Sequence, residues 1–278
     1  MTRMWHVCKR EFASYFVTPV GYVVLGVFAL ISGLGFARSF LFYCKVTESP
    51  STFAYNGVPD FEETLLSPYL VFCGLLIMFI GPLITMRLLA AERSRGTIEL
   101  LLTHPLRDWE IVFGKYTAAL GILVLILGIV GVHLGIVAYF VDVEPAVLGF
   151  GLITVFLMGA AFLSLGLFVS SITRNQVIAA TMTFAFWFVS WILGGLGEEL
   201  PERAPIPATW PDQLGRAVGF VYGLFRALVL ELPLDTHAKD MAQGILAPRD
   251  ITYYILFAAF FLFLTFRALE SRKWRAHQ

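Results

Sequence analysis

Between residues 89 and 106 the chain reads LAAERSRGTIELLLTHPL, a charged stretch set between two long apolar runs. Its residue types suit docking better than bond-making. Glu92, Arg93 and Arg95 put charge on an otherwise apolar approach, and Gly96 breaks the helix that leaves the membrane. Thr97 can cap a new amphipathic turn over 98–103, which Pro105 stops. Ile98, Leu100, Leu101 and Leu102 are too dense an apolar set for a free loop and need a membrane interface or a protein groove. The plainer alternative is a solvated loop whose charges only set topology. The pattern predicts an element gripped by another protein.

Bond-making chemistry finds little support. The nearest glycine-lysine pair, Gly114-Lys115, lacks both the upstream glycine and the following Ser/Thr of a P-loop, so ATP is not expected on this chain by that route. Ionisable groups inside a membrane mark ion pathways because each is costly there. His133 is the one ionisable side chain expected within an apolar span, and a packed, hydrogen-bonded histidine is the simpler reading of it. Ser164 has only His133 as a partner base and no supporting motif for proteolysis. The other histidines, His6, His104, His237 and His277, lie in separate segments without metal-ligand spacing, and Cys8, Cys44 and Cys73 are equally scattered. No catalytic residue and no metal site are expected.

The elements that position the docking stretch follow from composition. The chain has 278 residues, 58% hydrophobic and 14% charged, with a mean hydropathy of +0.77. A soluble domain cannot bury that much apolar surface, so an all-α polytopic membrane protein is expected. Six apolar runs reach spanning length, at 20–36, 69–88, 116–140, 147–172, 177–196 and 251–269. With six spans and a cytosolic N-terminus, short inner segments hold 13 basic residues and short outer loops only Arg38 and Lys45. The positive-inside rule then places both termini in the cytosol. The N-terminal segment is not expected to be a cleaved signal: Glu11 interrupts its basic part and the first apolar run is of full-span length.

Residues 1–18 read as an amphipathic interfacial helix. Met4, Trp5, Cys8, Phe12, Tyr15 and Phe16 form one stripe, with Arg3, Lys9 and Arg10 away from it and Pro19 marking the turn into the first span. Residues 19–196 would hold five spans and the docking helix at about 92–105, and 251–278 the sixth span and a basic tail. The loop at 197–250 opens with prolines and then offers an amphipathic helix over 213–232 and a weaker one over 238–246. Arg216, Arg226 and Glu231 argue against a seventh span there. Short turns at 142–145 and 173–176 make spans three, four and five antiparallel neighbours. Gly121, Gly128, Gly131, Gly159, Ala160, Ser164 and Gly166 provide small faces for close helix packing.

Four stretches carry a family resemblance: KREFASYFVTPVGYVVLGVF, ITMRLLAAERSRGTIELLLTHPLRDWEIVFGKY, LFVSSITRNQVIAA and DITYYILFAAFFLFLTFRALESRKWR. Together they resemble six-span permease subunits of ABC-2 type exporters, with a likeness to the subgroup found with gliding-motility transport systems. The resemblance implies an ABC-2 exporter permease fold working as a dimer with itself or a sister chain. It implies a coupling helix, with Glu92, Arg93, Arg95, Gly96, Thr97, Glu99, Leu100 and Leu101, seated in a cytosolic ATPase subunit. Trp5, Lys9, Arg10 and Phe12 would belong to the connecting helix beside it. ATP and Mg would stay on the partner, leaving no cofactor on this chain. The expected setting is the bacterial inner membrane, with lipid contacts, a periplasmic accessory protein as an optional partner, and no nucleic acid. ATP-driven export is the expected role; the alternative is a mechanical module that drives an envelope partner and moves no cargo.

Overall fold

The computed structural model describes residues 2–53, 59–94, 96, 107–141, 143–202, 204–205, 211–234, 236–237 and 247–275. The stretch 97–106, Arg95 and the weaker loop helix expected over 238–246 lie outside the described residues.

Among the described residues there is no strand. Helix α1 (Thr2–Val17) precedes α2 (Val20–Glu48), with Pro19 at the junction. A π-helical turn, Glu62–Leu66, leads into α3 (Ser67–Thr85), followed by the short α4 (Ala90–Ser94). Then come α5 (Asp108–Phe140), α6 (Pro145–Ile172), α7 (Gln176–Glu199), α8 (Asp212–Glu231) and α9 (Pro248–Arg275).

Helices α2 and α5 outrun their apolar runs by the most at a single end. No breaker follows the first run until Pro50, so α2 continues through Arg38 and Lys45 to 29 residues. At 1.5 Å per residue that is about 43 Å, well beyond a hydrocarbon core of about 30 Å. Helix α5 starts eight residues before the apolar run that predicts it. Asp108 and Glu110 occupy its positively polarised first turn, and the Glu110 carboxylate accepts the Arg107 backbone N–H at 2.9 Å.

Helix α6 is the axis of the bundle, packing against α3, α5, α7 and α9. The short turns at both its ends enforce antiparallel α5–α6 and α6–α7 pairs. Close approach is built on small residues at some of the expected positions. A Cβ on Gly166 would meet Thr85 Oγ1 at 2.2 Å, and one on Gly121 would meet the Phe12 ring at 2.9 Å. Gly128 and Gly131 face open space, so the small-residue reading does not hold along all of α5.

Among the described residues, seven helical stretches are long and apolar enough to cross a membrane by length and composition, one of them Gln213–Glu231 within α8. The contacts of α8 are local to one end of the bundle. Tyr222 Oη donates to the Pro201 carbonyl at 2.7 Å, and a Cβ on Gly197 would meet Val229 and Leu230 at 2.9 and 3.0 Å. The last turn of α8 thus returns to the end of α7, and Phe220, Val221 and Leu224 in its middle are exposed.

His133 is half-buried on α5, bonded through Nδ1 to Tyr69 Oη at 2.6 Å and stacked on Phe36. The Ser164 hydroxyl donates to the Ala161 carbonyl at 2.6 Å within its own helix. Both contacts are structural.

The packing at Gly166 predicts that Gly166→Ala costs about 1–3 kcal/mol through overpacking, whereas Gly128→Ala is neutral or stabilising by up to about 1 kcal/mol. Thermal unfolding of the two variants in detergent checks the contrast.

Candidate functional site

At the α1 end of the bundle three helices, α1, α4 and α5, meet over one buried amine. Lys115, in the second turn of α5, is 1% exposed. Its Nζ lies 3.0 Å from Glu11 Oε1 of α1 and 3.0 Å from Glu92 Oε1 of α4. Arg10 closes the group, 2.8 Å from Glu11 and 3.5 Å from Glu92. Two carboxylates and two cations leave it formally neutral. A buried ammonium survives only when opposite charge and hydrogen bonds replace its water, and here those partners come from two other helices.

Helix α1 reaches this position because the α5 surface is cut away beneath it. A Cβ on Gly114 would meet Val7 at 2.9 Å and the Met4 carbonyl at 3.1 Å, and Phe12 fills the space over Gly121. The Gly114-Lys115 pair, which fails as a phosphate loop, is thus a helix-crossing point: glycine admits α1 and lysine fastens it. Tyr15 Oη donates to the Ile84 carbonyl at 2.7 Å, and Arg87 Nη1 donates to Thr18 Oγ1 at 2.9 Å, tying α1 to the end of α3. Burial pushes the Tyr15 phenol well above its ordinary pKa.

Helix α4 is seated on the end of α6. Ser170 Oγ accepts from the backbone N–H groups of Leu89 (3.1 Å) and Ala90 (3.0 Å) and donates to the Met86 carbonyl at 3.2 Å. These amide groups open a helix and have no partner within it, so a serine from α6 caps α4 in trans. Arg93 Nη1 donates to the Ser171 carbonyl at 2.5 Å, satisfying the end of α6. Gly96 then takes φ +70°, the left-handed conformation that ends α4 at low steric cost.

Of the residues the sequence singles out, Glu92, Arg93, Gly96, Arg10 and Phe12 therefore fall in one junction. Of the stripe read as the apolar face of an interfacial helix, Cys8 and Tyr15 are buried, together with Val7, which the stripe did not include, while Trp5 stays 61% exposed. Lys9 is exposed. Arg95, Thr97, Glu99, Leu100 and Leu101 lie outside the described residues. Glu11 and Lys115 are the residues that sequence reasoning passed over. Their signal is a lone acid in a basic helix and a lone lysine at the mouth of an apolar run.

An apolar groove of about 610 Å3 runs between α5, α6 and α9, walled by residues such as Phe113, Leu120, Phe156, Ala259 and Phe263. No cluster able to hold a metal occurs among the described residues.

A multi-pass helical protein with a charged junction at one end of its bundle is the class defined so far. Residues 8–202 match the family described as ABC-2 family transporter protein, and the chain belongs to that family. It is similar to YbhR of Escherichia coli (strain K12), a "Probable multidrug ABC transporter permease", with 31% identity over 121 residues. That match covers 43% of this chain and 32% of YbhR. It is also similar to NosY of Pseudomonas aeruginosa, a "Probable ABC transporter permease protein", with 33% identity over 199 residues, 68% of this chain and 66% of NosY. The chain spans about a third of the length of YbhR that it matches and about two thirds of NosY.

Burial alone would raise the Glu11 pKa, but Lys115 first and Arg10 second hold its carboxyl below the usual glutamate value. A depressed carboxyl stabilises the fold above its unfolded pKa, near 4.5, and loses that contribution as pH falls through the depressed value. Acid unfolding below about pH 4.5 is therefore expected to flatten in Glu11→Gln. Lys115→Met, which leaves two half-buried carboxylates with only the exposed Arg10 beside them, should cost about 3 kcal/mol. The triple variant Glu11→Gln/Glu92→Gln/Lys115→Met, in which Arg10 is the one charge of the group that remains, should recover much of that loss, as thermal melts of these variants would show.

Proposed function

We propose that this chain is the permease subunit of an ATP-driven exporter in a bacterial inner membrane. Six helices cross the bilayer, α2, α3, α5, α6, α7 and α9, with both termini cytosolic and α8 lying on the outer side. The basic-residue asymmetry supports that topology. Two such chains, copies or sister subunits, form the translocating dimer, and ATP and Mg bind on separate cytosolic ATPase subunits.

The observation that carries the reading is Lys115 held between Glu11 and Glu92. It joins the helix that leads into 97–106 to α1 and to the foot of a spanning helix. A displacement applied at 97–106 by ATPase closure would therefore reach α1, α5 and, through Ser170 and Ser171, α6 together. Such rigid-body tilting is a standard way to exchange outward and inward exposure. The energy enters as differential contact with the ATPase in its two states, not through chemistry on this chain. YbhR's name includes multidrug transport, in keeping with export of apolar cargo.

A second reading has an observation of its own. The exposed apolar face of α8 and its position at the end of α7 suit contact with an outer partner. The same motion would then drive a periplasmic or envelope protein without moving cargo.

Co-purification with the neighbouring ATPase tests the docking claim. The wild-type chain is expected to retain it, and Leu100→Asp/Leu101→Asp to lose it while remaining folded; retention in the variant would place the ATPase elsewhere. Lys115→Gln should preserve co-purification but lower ATP-driven cargo uptake by inverted vesicles per ATP hydrolysed. Full coupling in that variant would remove Lys115 from the transmission path. ATPase-dependent binding of an outer protein with no uptake of any cargo would favour the second reading.

A further inference from the structure

A single imidazole pins the connection between α8 and α9. His237 is 8% exposed, and its ring stacks on Tyr253 with centroids 4.0 Å apart and planes inclined by 22°. Its Nδ1 is 2.8 Å from Asp250 Oδ1, in the first turn of α9. Its Nε2 is 3.2 Å from the carbonyl oxygen of Glu231, the last residue of α8, and 3.7 Å from Glu231 Oε2.

Both ring nitrogens thus face oxygen acceptors. A neutral imidazole has one N–H and one lone pair, so it completes one of these contacts and turns its lone pair toward oxygen at the other. The doubly protonated ring donates to both. A proton placed on Asp250 would also satisfy Nδ1, but it would leave the pair uncharged. The surroundings match a charged ring: the Glu231 carboxylate is near, and the Tyr253 ring offers its electron-rich face. Arg249 opposes this, because its guanidinium pairs with Glu231 and takes up part of that negative charge.

Tyr253 and Tyr254 spend their hydroxyls on the carbonyls of Leu232 and Leu234, at 2.8 and 2.7 Å. These bonds hold the 232–234 turn without any change of charge. From α7, Gly194 abuts Pro233 and Thr236 of this turn. Asp235, Lys239 and Asp240 lie outside the described residues. Among the described residues, the imidazole is therefore the contact at this turn that protonation would make or break.

We propose that His237 is a protonation-dependent clamp between the end of α8 and the start of α9. With both protons the ring bridges Asp250 and the Glu231 carbonyl; loss of one leaves one side unbridged and loosens the end of α8 from the start of α9. The contact is made on the acid side and weakens as pH rises. It goes beyond the coupling reading above and does not depend on how the ATPase docks.

Histidine ring 15N signals and backbone hydrogen exchange test it, using the full-length protein in lipid nanodiscs between about pH 5 and pH 8. The chain has five histidines, and His237→Gln assigns the relevant signal. At the acid end both His237 nitrogens should report N–H. As pH rises one should convert to the lone-pair type, while exchange at the ends of α8 and α9 quickens about tenfold or more, as loss of a hydrogen bond to a charged group implies. In His237→Gln, exchange at these two ends should not vary with pH. Asp250→Asn, which keeps the shape and removes the charge, should quicken it at the acid end as well. A lone-pair nitrogen at every pH would put the proton on Asp250 and overturn the clamp. So would wild-type exchange that ignores pH, or that changes identically in His237→Gln. Should the glutamine variant not fold, His237→Asn supplies the assignment, and the wild-type nitrogen signals then decide.

Discussion

A lysine with 1% of its side chain exposed constrains everything around it. The Lys115 ammonium cannot be left without counter-charge at the foot of α5, and both carboxylates that face its Nζ come from other helices. Glu11 and Glu92 must therefore stay in place, which fixes α1 and α4 relative to α5. The arrangement needs Gly114, because any side chain there would push α1 off the lysine. It also needs Ser170, because α4 holds Glu92 in position only while its first amide groups are capped by α6. One desolvated charge thus explains a glycine, a serine and two carboxylates on four separate elements.

The two ends of the bundle use charge differently. At the α1 end, four charges sum to zero and interlock several helices, which suits a part that must transmit displacement without deforming. At the other end, α8 presents an open apolar face and is fastened to α9 by few polar contacts, among them an ionisable ring. Under the proposed function, the interlocked end would be the input and the end bearing α8 the outer side. Between them, α6 runs as a buried axis whose small residues admit its neighbours closely.

Much of this was legible in the residues. Apolar run length located every helix from α2 to α9 that follows such a run, since hydrocarbon thickness sets a minimum that few other constraints imitate. Helix ends were less legible, because capping by Glu110 and the absence of a breaker before Pro50 extend α5 and α2 past their apolar stretches. Glu92, Arg93 and Gly96 stood out as charges and a breaker beside a membrane run. Glu11 and Lys115 did not, because each is a single charge in its own segment and acquires meaning only when α1 crosses α5. The coverage of the α1 stripe is not legible either: a helical stripe tells which side is apolar, but the crossing angle decides that Cys8 and Tyr15 are covered and Trp5 is not. His237 was one of several scattered histidines until the fold set Asp250 and Glu231 on either side of it.

The central claim is that α1, α4 and the foot of α5 move as one body when the ATPase cycles. Pulsed dipolar distances among spin labels at Lys9, Ser94 and Phe113, all exposed, would test it in the assembled transporter with and without trapped nucleotide. The account predicts that the three distances stay the same in both states of the wild-type protein, and that the Lys115→Gln background lets them differ. A change in the Lys9–Ser94 or Ser94–Phe113 distance on nucleotide binding in the wild type would contradict it, since α4 would then move independently of the helices that Lys115 is held to join.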